Sequence, residues 1–119
     1  TGKNILLAID GSDCSKIAAN ITAKIAKCFG SSITVISVVS KDEDIKNTKI
    51  DVFLQEIKFD SYVVVGKCAE TIVKTAKDIG SDLIVVGSHG HTGLKKILLG
   101  SVSEKVIRLA ESAVLIARS

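Results

Sequence analysis

Residues 83–104 read Leu83-Ile84-Val85-Val86-Gly87-Ser88-His89-Gly90-His91-Thr92-Gly93-Leu94-Lys95-Lys96-Ile97-Leu98-Leu99-Gly100-Ser101-Val102-Ser103-Glu104. The aliphatic run Leu83–Val86 does not alternate with polar residues, which is the pattern of a parallel strand buried on both faces. A glycine-spaced loop follows. Ser101-Val102-Ser103-Glu104 then has the Ser-x-x-Glu form of a capping box and opens a helix, whose buried face would include Val102, Val106 and Ala110.

The same alternation of strand and helix extends in both directions. Short aliphatic runs at Ile5–Ile9, Ile33–Val39, Tyr62–Val65 and Val114–Ala117 suit strands and are too short for typical helices. In Ser12–Phe29, Cys14, Ile17, Ala18, Ile21, Ile25 and Cys28 fall at steps of three and four. Lys16, Asn20, Lys24 and Lys27 mark the wet face of that helix. Ser12 or Asp13 caps its start, and Gly30 suits a left-handed stop. In Ala69–Ile79, Ile72, Val73, Ala76 and Ile79 form the apolar stripe, and Gly80 ends it. Thr48–Lys58 carries a shorter helical pattern at Ile50, Phe53, Leu54 and Ile57.

The resulting order is β-α-β-α-β-α-β-α-β. It predicts an α/β fold: a three-layer, doubly wound, five-stranded parallel sheet of order 3-2-1-4-5, with helices on both faces. One domain is expected to cover residues 1–119. That length can build a core without disulfides or metal. Hydrophobic residues make up 46% and charged residues 24%, so a disordered or fibrous chain is excluded. Aromatics are only 3%, and there is no Pro, Met or Trp, which argues against a small all-β binding module.

The net charge is +3, and only Arg108 and Arg118 among the 16 basic residues are arginine. No basic block is interleaved with aromatics, so no nucleic-acid partner is expected. No apolar run nears the ~20 residues of a membrane span. No secretory leader pattern stands at Thr1–Lys3, and the lack of an initiating Met reads as a trimmed chain. Cys14, Cys28 and Cys68 are odd in number and lack Cys-x-x-Cys spacing, which reads as buried free thiols in a reducing cytoplasm.

In such a sheet a ligand binds beyond the carboxyl ends of the strands, where the strand order reverses. Here that lies between the first and fourth strands. Asp10-Gly11-Ser12 follows the first and Gly87–Gly93 the fourth. Gly87, Gly90 and Gly93 permit close backbone approach. Gly100 opens the way to the first amides of the last helix, and Ser101 and Ser103 add hydroxyl donors. From Leu83 to Ser103 there is no carboxylate. Neither the Walker pattern nor Gly-x-Gly-x-x-Gly is present. On this chemistry alone an anion or nucleotide site and a tight structural loop both stand. Asp10 is either a ribose acceptor or a helix-capping turn residue. His89 and His91 lack a third metal ligand.

Gly87-x-x-Gly90, nine residues, then Gly100-Ser101 resembles the nucleotide-binding signature of the universal stress protein family. The strand from Ile5 to Asp10-Gly11-Ser12 and the run Ala113-Val114-Leu115-Ile116 resemble the family's ends. The resemblance covers nearly the whole chain and implies membership of the ATP-binding branch. Adenine and ribose would lie near Asp10 and Val38, and the triphosphate along Gly87, Gly90, Gly100, Ser101 and Val102. ADP or AMP could replace ATP, and Mg or Mn would sit at the phosphates. Ala8, Val86, His91 and Ser103 complete the expected site.

The resemblance also implies a homodimer through the last strand, at Val114, Leu115 and Ile116. The family often has Pro where Ala8 stands and Arg where His91 stands. Ser40–Phe59 is shorter than usual. The expected role is a dimeric, cytoplasmic, nucleotide-binding stress-response sensor or signalling module with an unknown protein partner. Turnover would be slow at most, since no placed base or arginine finger is evident. The alternative is a dimeric interaction module that binds no nucleotide.

Overall fold

Branched aliphatic side chains pack well on a pleated surface, so the short aliphatic runs form strands. The computed structural model describes residues 4–10, 13–41, 54, 57–88 and 100–118. Its elements are β1 (Asn4–Ala8), α1 (Asp13–Phe29), β2 (Ser32–Val39), β3 (Phe59–Val65), α2 (Cys68–Ile79), β4 (Leu83–Gly87), α3 (Ser101–Leu109) and β5 (Ala113–Ala117). Every strand pair is parallel, and the sheet order is β3-β2-β1-β4-β5. This is the expected 3-2-1-4-5 order, with the reversal between β1 and β4.

Successive residues of β1 point to opposite faces of the sheet. Ile5 and Leu7 join one buried cluster, with Val35, Val85 and the alanines of α1. Leu6 joins the other, with Ile84, Ile72 of α2 and Val106 of α3. The sheet is therefore covered on both sides. Among the described residues no helix is long and apolar enough to cross a membrane.

The buried face of α1 is turned from the expected one. Ala18, Ala19, Ala23 and Ala26 meet the sheet, while Ile17, Ile21 and Ile25 are only partly buried at its flanks. Small residues at the contact let the helix axis approach the strands, and the larger side chains wrap around the sides. Thr22 is fully buried among them and donates its hydroxyl to the Ala18 carbonyl at 2.8 Å. Cys28, expected on the buried face, is exposed, so the reading of three buried thiols fails there.

Gly30 and Gly80 have φ of +64° and +67°, as a left-handed helix stop requires. After Gly80, the Ser81 amide reaches back to the Ala76 carbonyl at 2.8 Å. Asp13 is the first helical residue of α1 and not its cap. Ser12 lies outside the described residues.

The capping box at Ser101–Glu104 is also corrected. Gly100 is the N-cap of α3, and no side chain caps it. With Ser101 already helical, Glu104 is one residue too far along to close the box. Val102 is 38% exposed and does not join the buried face, whereas Val106 is fully buried.

Strand β3 begins at Phe59, earlier than Tyr62. Phe59, Asp60 and Ser61 pair with Ile33, Thr34 and Val35 of β2. An edge strand with one exposed side tolerates such polar residues, which hid its start. Most of Thr48–Lys58 lies outside the described residues. Ile57 and Lys58 are not helical, and the Ile57 amide bonds the Leu54 carbonyl in a turn.

Candidate functional site

The site begins where the sheet parts. Strands β1 and β4 pair from Ile5–Leu83 to Leu7–Val85. Beyond that point β1 stays with β2, and the Ile9 amide donates to the Ile36 carbonyl at 3.0 Å. Strand β4 stays with β5 through Gly87–Ala117, and the Ser88 amide donates to the Ala117 carbonyl at 2.8 Å. The divergence marks the topological switch point between the carboxyl ends of β1 and β4, where a doubly wound sheet is expected to hold its crevice.

Asp10 is exposed at the end of β1. Its amide donates to Ser15 Oγ at 2.9 Å, and that hydroxyl donates to Asp10 Oδ1 at 2.7 Å. A buried serine on the first turn of α1 thus fixes the carboxylate's direction. Ala8, Val38 and Val86 lie on the sheet face covered by α2 and α3. Ala8 and Val38 are half-buried and Val86 is buried.

Gly87 has a packing role. A Cβ placed there would lie 2.6 Å from Cys14 Cβ and 3.1 Å from the Cys14 carbonyl carbon. The first turn of α1 therefore rests against the end of β4. Behind it, Cys14 Sγ and Ser88 Oγ are 3.6 Å apart in a buried contact. The other wall is the amino end of α3. The Gly100 amide donates to the Ser88 carbonyl at 2.7 Å. Ser101 and Val102 are exposed, while Ser103 is buried. Gly90 and His91 lie outside the described residues.

Charge at this end of the sheet is mixed. Burial pushes the Cys68 thiol up, and the negative charges of Asp10 and Glu70 push it further. Cys68 is therefore held as the neutral thiol near Asp10. At the start of α2, the backbone amide of Glu70 and the Lys105 ammonium hold its carboxyl below the usual range. The Lys105–Glu70 pair, 3.2 Å apart, ties α2 to α3 but is half-exposed and adds little stability. Among the described residues no three His, Cys, Asp or Glu side chains come together as a metal site.

Both sheet ends and the whole crevice fall within one family pattern. Residues 2–51 and 43–118 match the Universal stress protein family. The chain belongs to the universal stress protein family. Universal stress protein MJ0531 of Methanocaldococcus jannaschii is 33% identical over 139 aligned residues, covering 98% of this chain and 82% of that protein. Universal stress protein MJ0577 of the same organism is 47% identical over 79 residues, which span 66% of this chain and 47% of the relative. The solved structure of MJ0577 superposes with a TM-score of 0.77 at 31% identity, covering 98% of this chain and 96% of that one.

Two more distant universal stress proteins share the fold and were solved with nucleotides. One, from Archaeoglobus fulgidus, is a complex with dAMP, at 23% identity, TM-score 0.73 and coverage of 98% of both chains. The other is a complex with cAMP, at 24% identity and TM-score 0.71, covering 97% of this chain and 95% of that one.

In this universal stress protein the structure brings Ala8, Asp10, Val38, Val86, Gly87 and the residues 100–103 to one end of the sheet. Sequence reading missed Ser15, Ser88 and Cys68 there. Ser88 was accessible by its place directly after the fourth strand. Ser15 stands five residues after Asp10, within reach of local reading, whereas Cys68 meets Asp10 only in the folded chain.

Proposed function

We propose that this universal stress protein binds an adenine nucleotide in the crevice between β1 and β4. The observation that carries the reading is the parting of the sheet beyond Leu7 and Val85, with the uncapped start of α3 beside it. A helix start offers amide hydrogens and a positive dipole to phosphate oxygens. The family complexes with cAMP and dAMP support the class of ligand.

In this reading Ala8 and Val38 offer an aliphatic bed to adenine, and Asp10 accepts from ribose. Gly87, Gly90, His91, Gly100, Ser101 and Val102 border the phosphates. ATP is the proposed nucleotide, and Mg or Mn is carried by the phosphates rather than by a protein cage. Occupancy then signals to a partner in the cytoplasm. A cradle that binds ground and transition states alike gives no acceleration, so turnover is negligible.

Thermal unfolding with and without Mg-ATP tests the reading. Ligand at 100 times its dissociation constant is expected to add about 2.7 kcal/mol, a shift of roughly 10 °C. An unchanged midpoint at millimolar ATP would leave the interaction module without nucleotide as the function.

The dimer belongs to the same proposal. Strand β5 is a sheet edge, and Val114, Leu115 and Ile116 are only half-buried on it. Ile107 and Leu109 of α3 are each 44% exposed. An aliphatic edge of this kind is an aggregation hazard unless it is paired. Light scattering at high concentration is expected to give twice the chain mass, and a strictly monomeric mass contradicts it.

A further inference from the structure

We propose that Ser103 is a positioning residue, whose hydroxyl locks the amino end of α3 to the end of β4 and so aims the helix start into the crevice. The inference rests on the nucleotide reading above and changes how one of its residues acts. Ser103 is 4% exposed and sits in the first turn of α3. Its Oγ donates to the Gly87 carbonyl at 2.6 Å and lies 3.2 Å from the Ser88 carbonyl. A hydroxyl carries one hydrogen. With that hydrogen committed to β4, Ser103 cannot also donate it to a phosphate.

The bonding around it forms a clamp. The Ser88 carbonyl also accepts from the Gly100 amide at 2.7 Å, and the Ser88 amide is held by Ala117 of β5. The last carbonyl of β4, at Gly87, and the next one, at Ser88, are therefore both satisfied from α3 and its cap. This has two consequences. The helix start keeps a fixed distance and angle to the crevice. The Gly87 and Ser88 carbonyl oxygens, whose negative ends would repel an anion, are engaged. Removing the Ser103 hydroxyl loosens the first and frees the Gly87 carbonyl, while the Ser88 carbonyl keeps the Gly100 amide. The loss should fall on the phosphates, because the adenine and ribose positions on β1 and β2 are not touched.

Titration of the full chain with ATP, ADP and adenosine tests this in wild type, Ser103→Ala and Ser103→Thr. Ser103→Ala is expected to weaken ATP about tenfold, the size of one lost hydrogen bond, and to leave adenosine within about twofold. Ser103→Thr keeps the hydroxyl and is expected to restore ATP to within about threefold of wild type. Amide exchange at Gly100 and Glu104 is expected to rise about tenfold in Ser103→Ala and to stay near wild type at Ile72.

Equal losses for adenosine and ATP overturn the proposal, since a general structural defect lowers both. Unchanged ATP affinity in Ser103→Ala, or no recovery in Ser103→Thr, also overturns it. If Ser103→Ala does not fold, Ser103→Cys keeps the volume with a weaker donor, and ATP affinity equal to wild type in that variant overturns the proposal. Failure of wild type to bind any of the three ligands defeats the nucleotide reading itself. The exchange rates then decide separately whether the clamp exists.

Discussion

Gly87→Val is expected to lower the unfolding midpoint by roughly 12 °C, a loss of about 3 kcal/mol. A strand residue is normally improved by a β-branched side chain, so local propensity predicts the opposite sign. The contact decides. The new Cβ meets Cys14 Cβ at 2.6 Å and the Cys14 backbone at 3.1 Å and 3.4 Å. None of these atoms can rotate away, so the first turn of α1 must lift from β4. Cys14→Ala in the same chain is expected to rescue nothing, because the Cβ remains. Cys14→Gly is expected to recover part of the loss. Thermal denaturation by circular dichroism measures all of these. A drop of less than about 3 °C for Gly87→Val would mean that α1 moves freely and that the glycine serves no packing purpose.

Leu7→Ala is expected to cost about 3–5 kcal/mol. Leu7 is fully buried in the central strand. It stands opposite Val35 on one side and Val85 on the other, in the cluster beneath α1. Strands on both sides and a helix above leave little room for the cavity to collapse. Domains of this size are stable by only about 5–15 kcal/mol, so this change removes a large share. The urea midpoint is expected to fall by roughly 2 M. Leu115→Ala, on the half-buried edge strand, should cost about half as much. Equal costs for the two would place the core elsewhere than between the sheet and α1.

The legibility of each element followed its burial. Strands β1 and β4 lie inside the sheet, so their aliphatic runs are unbroken and their limits were read to within a residue or so. Strand β3 is an edge, and its polar start at Asp60 and Ser61 masked three residues of pairing. The wet face of α1 was plain from its lysines. Its dry face was misread, because Ile17, Ile21 and Ile25 attract attention while the contact itself is made by alanines. Strand identity depends on local side-chain chemistry. Which face of a helix touches a sheet depends on how closely the two approach.

The site divides in the same way. Its place between the first and fourth strands was expected from the common 3-2-1-4-5 order, but the same run of elements also builds sheets that reverse between the first and third, and the pairing of β1 with β4 is what fixes it. The glycine spacing and the place of Asp10 at the end of the first strand were also visible along the chain. The duties of individual residues were not. Ser101 looked like a cap until Gly100 was found in that place. Ser103 was expected to offer its hydroxyl to a ligand, and only the fold shows that hydroxyl donating to Gly87, 16 positions away in sequence. Gly87 was expected to give room beside its backbone, and only the fold shows that Cys14 also packs against it. Hydrophobic period and turn chemistry act over a few residues and are written locally, so they set the elements and their order. A single hydroxyl hydrogen or the space beside a glycine is allotted by whichever distant segment arrives next to it, and folding alone makes that allotment.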